Sequence, residues 1–186
     1  MLRILSELRR SQKMVSIYTD YQETNKFHYG AVIALNEKEI AIQMLSPDGE
    51  SDGIIVMDAE NVFRVEENGQ YDEKMKKLCP NNPLPLFNEA LDENEIFESL
   101  LSIASIEKSI ISIELVDSGY NDIVGFVEEI EDGMCKVKQV DEFGYEDGFS
   151  FFLIRDITKI TYLSQDEKRL MRLWQIRNKS SECLGE

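Results

Sequence analysis

The stretch GESDG at residues 49–53 returns as GYEDG at residues 144–148, a shift of 95 positions. Working outward from it, the same shift pairs Gly30 with Gly125, Val32 with Val127, Asp52 with Asp147, Gly53 with Gly148 and Leu78 with Leu173, with no gap. Apolar positions keep step as well: Leu35 with Ile130, Ile40 with Cys135, Ile42 with Val137, Leu45 with Val140, Val62 with Ile157 and Val65 with Ile160. Upstream the shift is 96, aligning VSIY at 15–18 with ISIE at 111–114, so one residue was gained or lost in the first loop. The chain reads as two copies of one unit.

Inside each copy the apolar residues alternate with a period near two, which marks half-buried strands. The pattern predicts strands over 14–18, 28–35, 39–45, 53–58 and 62–66, then over 110–116, 123–130, 134–140, 148–154 and 157–163. Apolar stripes at helical spacing predict a helix before each set (2–10 and 93–105) and one after it (71–78, and a longer one opened by the capping box Ser164 to Glu167). The fold class is therefore mainly β with flanking helices (α+β): two tandem five-stranded antiparallel barrels, each preceded and followed by a helix. The expected division is repeat 1 over 1–78, a Pro-rich linker over 79–91 and repeat 2 with a C-terminal helix over 92–186; three prolines in the linker interrupt regular structure.

Bulk composition narrows the function. The formal charge is −16, of which −11 falls in residues 92–186, and such acidity disfavours nonspecific attraction to nucleic acid or anionic lipid. No window approaches the roughly 20 apolar residues of a membrane span, and the N-terminus lacks a signal-peptide core, so a cytoplasmic location is expected. Cys79, Cys135 and Cys183 lack C-x-x-C spacing, which argues against a disulfide framework or a zinc knuckle.

Catalytic and metal chemistry find little to work with. Asp48, Glu50 and Asp52 followed by Gly53 imitate the start of a calcium loop, but Ala59 stands where a bidentate glutamate belongs. Gly49, Asp52, Gly53, Gly144, Asp147 and Gly148 are read instead as structural turns. His28 is the one histidine, Cys135 aligns with the core position Ile40, and no phosphate or dinucleotide fingerprint occurs. No enzyme, cofactor, metal or small-molecule substrate is expected. Candidate interaction residues are Arg9, Arg10 and Lys13 at the end of the first helix, and Lys168, Arg169, Arg172 and Arg177, followed by Lys179, on the last. An aromatic group (Tyr18, Tyr21, Phe27 and Tyr29; Phe143, Tyr145, Phe149, Phe151 and Phe152) forms a second candidate surface. Consecutive Phe151 and Phe152 place one ring on each face of a regular strand.

A helix followed by five short strands with G-x-V in the second, carried by GAVIALNEKEIAIQML, DAENVFRVE, GFVEEIEDGMCKVKQV and IRDITKI, resembles the Sm-like family of small SH3-like barrels. That resemblance covers most of the chain outside the linker and the last helix. It implies RNA binding through the loops holding Asn36-Glu37-Lys38 and Glu131-Asp132-Gly133, and through the turns Glu60-Asn61 and Arg155-Asp156; neither turn carries the family's glycine. The leading expectation is a non-catalytic interaction module that binds protein partners or associates with itself through open strand edges. RNA binding in the Sm-like manner is the alternative, and an acidic regulator of a basic partner the third.

Overall fold

The structure, a computed structural model, describes residues 1–80, 87 and 90–182, with side chains of the last helix described through Asn178. It divides into two compact units, Met1–Ile96 and Phe97–Glu186. Most of the expected linker at 79–91, and the side chain of Lys179, lie outside the described residues.

The first unit runs α1 (Leu2–Ser11), β1 (Met14–Tyr18), β2 (His28–Leu35), β3 (Glu39–Leu45), β4 (Ser51–Asp58), a 3-10 turn (Ala59–Asn61), β5 (Arg64–Glu66) and α2 (Gln70–Leu78). Its strands lie in the order β5-β1-β2-β3-β4. The second runs α3 (Ile96–Glu107), β6 (Ile110–Leu115), β7 (Ile123–Glu131), β8 (Met134–Val140), β9 (Glu146–Leu153), a 3-10 turn (Ile154–Asp156), β10 (Ile157–Tyr162) and α4 (Gln165–Glu182), in the order β10-β6-β7-β8-β9. Each described strand pairing is antiparallel.

The repeat extends to irregularities. The β2/β3 ladder slips between Val32 and Ala34, and β7/β8 slips between Val127 and Glu129; β3/β4 slips between Gln43 and Leu45, and β8/β9 between Lys138 and Val140. Both 3-10 turns and the starts of α2 and α4 keep the spacing of 95. A bulge strengthens local twist and bends its strand, so identical bulges give both units the same curvature.

The expected closure into barrels is not made. Among the described residues β5 pairs only with β1, over Ser16 to Tyr18, and lies at the opposite end of its order from β4; β10 and β9 are likewise separated by the rest of theirs. β5 is only three residues long, the chain having spent the preceding stretch on the 3-10 turn and Val62-Phe63. Strand ends therefore remain, which a sequence pattern of five strands does not reveal.

Cores form where the periodicity placed them. In the first unit Leu5 and Leu8 of α1 pack with Val15, Ile17, Val32, Ile40, Ile42, Ile55 and Val62. A second cluster joins Tyr29, Leu45 and Met75 with Met14, Phe27 and Tyr71 beneath α2; its counterpart joins Ile110, Phe126 and Val140 with Val124, Leu170, Met171 and Trp174 beneath α4. The capping box is present at α4: Ser164 N–H donates to Glu167 Oε2 (2.7 Å), and the other oxygen of that buried carboxylate accepts from Ser112 Oγ (2.6 Å), tying helix to strand.

Tyr29 supplies a pH test. Burial, then the neighbouring Asp72 carboxylate, raises its hydroxyl above the ordinary tyrosine range. The fold thus favours the neutral phenol, a contribution intact below pH about 10 and lost as pH climbs through the higher folded value. Thermal melts of Tyr29→Phe are expected to show a shallower alkaline decline than the parent chain; parallel declines would contradict the assignment.

Candidate interaction surface

β8 and β9 form a hairpin joined at Asp141 to Tyr145. The Asp141 carboxylate accepts the N–H groups of Phe143 (3.0 Å) and Tyr145 (2.8 Å), and Gly144 N–H donates to Asp141 O (3.0 Å). Gly144 sits at φ 84°, and a Cβ there would stand 2.8 Å from the backbone nitrogen of Trp174. Gly49, also at φ 84°, is equally crowded against Cys79, the residue aligned with Trp174. The opening motif is therefore a tight turn seated against the following helix in both units, which leaves Gly53 and Gly148, with Asp52 and Asp147, at the entrances of β4 and β9.

Past the turn the copies diverge. In β4 the run Ile54-Ile55-Val56-Met57 is buried throughout, whereas in β9 the aligned residues alternate: Phe149 is 52% exposed, Phe151 66%, and Phe152 only 8%. Alternation around Ser150 sends two phenylalanines outward and Phe152 inward, as two adjacent rings on a regular strand must go. Phe143 and Tyr145 add exposed rings at one end, and Met134 lies exposed on β8. Among the described residues β9 pairs with β8 alone, so its far side is an open backbone edge bordered by aromatic rings.

Cations accompany these rings. Lys136 Nζ stands 4.8 Å from the Phe149 centroid and 5.8 Å from that of Phe151, while the Arg177 guanidinium lies 4.5 Å from the Tyr145 ring. Glu146 is bonded to Lys138 at 3.0 Å. Trp174 packs on Phe126 of β7 with centroids 4.8 Å apart and joins Val140, the last residue of β8, in the core beneath α4.

The basic candidates are scattered among other duties. Arg9 forks onto Glu93, Lys13 reaches Glu67 at 3.3 Å, and Arg169 reaches Asp166 at 2.8 Å. Lys168 also has a bonding partner, and Arg177 attends Tyr145. Arg10 and Arg172 are exposed. A hollow of about 460 Å³ in the first unit is lined by Arg9, Arg10, Val32, Ala34, Leu91 and Glu93; of its two arginines, Arg9 is paired with Glu93. Among the described residues no group of three or more His, Cys, Asp or Glu is arranged to hold a metal ion, and no helix is long and apolar enough to cross a membrane.

The aromatic alternation F-S-F-F was readable in the sequence, but the exposure of β9 was not. Lys136 as the companion of two rings was missed altogether: its only signal is its register opposite Phe151.

Cys135 is buried, and burial pushes its thiol up to about 12. A thiol so placed is protonated at neutral pH. Native chain treated with a thiol reagent at neutral pH is expected to leave Cys135 unmodified until unfolded; rapid labelling in the native state would contradict its burial.

Comparison with protein-family models, curated proteins and solved structures finds no match for this chain.

Proposed function

We propose that the protein is a non-catalytic interaction module that docks a protein partner along the open edge of β9. The observation that carries this reading is the exposure of Phe149 and Phe151 on a strand with one unpaired side, since edges of this kind are templates for strand addition and are ordinarily blunted by charge, proline or brevity. Backbone hydrogen bonds along the edge would supply affinity and the rings selectivity. We also propose that each unit is an open variant of the Sm-like barrel; the strand order β5-β1-β2-β3-β4, the leading helix and the duplicated bulges support it.

RNA binding is the weaker reading, because Arg9, Lys13 and Arg169 are paired with carboxylates of the same chain. The test is capture with tagged full-length chain and with a Phe149→Ser/Phe151→Ser variant at physiological salt, with and without nuclease. Protein partners that survive nuclease and disappear with the variant support the β9 reading. Partners indifferent to the variant, or RNA enriched over a similarly acidic control, would overturn it.

A further inference from the structure

The β9 edge is self-complementary, and we propose that its occupant is β9 of a second copy, paired antiparallel about a twofold axis through Ser150. This rests on the reading of β9 as a docking edge and adds the identity of the partner. Residues directly opposite in an antiparallel pair lie on one face of the sheet. An axis between two residues would set the exposed Phe149 or Phe151 against a residue of the buried face, and is excluded. The axis must therefore pass through a residue.

Three such axes fall in the middle of the strand. An axis at Phe149 sets Asp147 against Phe151. One at Phe151 pairs residues 149–153, sets Phe151 against itself and leaves Phe149 opposite Leu153. The axis at Ser150 sets Phe149 against Phe151 twice, within the regular part of the strand that follows the slip between Lys138 and Val140, and opposes no carboxylate with another. Aromatic pairs across strands are favourable and like charges directly opposite are not, so this register joins both exposed rings of the strand, Phe149 and Phe151. Such an interface is isologous and closes at two copies.

Among the described residues, the edge of β5 is a poorer template. β5 has three residues, with Arg64 lying 3.6 Å over the Tyr18 ring and Glu66 accepting from the Tyr18 hydroxyl at 2.7 Å. It is short and charged, the usual protection of an edge.

The charge gives the dimer a signature. Each copy carries −16, so association works against long-range repulsion that salt screens. Self-association through apolar rings is expected to tighten several-fold as salt is raised, whereas capture of a basic peptide by this acidic chain would weaken.

The experiment is sedimentation of the full chain across concentration and salt, together with mild oxidation of two cysteine variants. Dimers that tighten with salt and weaken at least about tenfold in Phe151→Glu are expected. Ser150→Cys lies on the axis and is expected to give a covalent dimer. Asp147→Cys, about 20 Å from its symmetry mate at ~3.4 Å per residue, is expected to give no more than the parent chain. A chain that stays monomeric, or dimers untouched by Phe151→Glu, would overturn the proposal, as would cross-linking of Asp147→Cys in preference to Ser150→Cys. Monomer with Phe149- and Phe151-dependent capture of other proteins would sink the self-pairing alone; loss of both would sink the docking edge as well.

Discussion

Replacing Gly125 with alanine is expected to destabilise the second unit by about 3 kcal/mol, near the upper end for overpacking. A Cβ at Gly125 would stand 2.0 Å from Lys138 O, 2.8 Å from Lys138 C and 2.9 Å from Gln139 Cα. All three are backbone atoms of β8, so no rotamer change relieves the clash, and the β7/β8 ladder that supports β9 must separate. For a unit of this size the loss corresponds to a melting shift of roughly 12–24 °C. Gly30 is crowded in the same way, 2.2 Å from Gln43 O, and its alanine variant is expected to lower the melting of the first unit instead. Calorimetry of both variants checks this; either substitution leaving its melting unchanged would contradict the close strand approach.

A comparable loss is expected from Leu101→Ala in α3. Leu101 is fully buried and aligns, at the shift of 96, with the fully buried Leu5 of α1. Deleting such a side chain removes its transfer free energy and leaves a cavity, together about 3 kcal/mol. Leu5→Ala is expected to cost a similar amount. Matched losses by urea denaturation would show that the two helices do equivalent work; a loss below about 1 kcal/mol at either site would contradict its place in the core.

These paired experiments use the part of the molecule that is legible in its sequence. Ile40, Ile42, Cys135 and Val137 announce strands by alternation, and Gly49 and Gly144 announce one turn by repetition. Ser164 and Glu167 announce a helix start that the structure completes with Ser112, a strand residue that no local pattern connects to them. Closure was the harder matter. Whether β4 meets β5 depends on where a three-residue strand ends up, a long-range pairing with no signature of its own in local periodicity. The candidate surface was legible only by half for the same reason: β4 and β9 share pattern, turn and bulge, yet Ile54 and Val56 are buried while Phe149 and Phe151 are exposed. Local alternation gives the faces of a strand, and only tertiary placement decides which face meets water.

Hydrogen exchange along residues 146–153, read at high and at low protein concentration, tests most directly whether β9 is a docking edge. Protection of β9 amides that appears at high concentration, fades on dilution and is absent in Phe151→Glu is the predicted result. Rapid exchange of the outward amides at every concentration, identical in the parent and the variant, would contradict it.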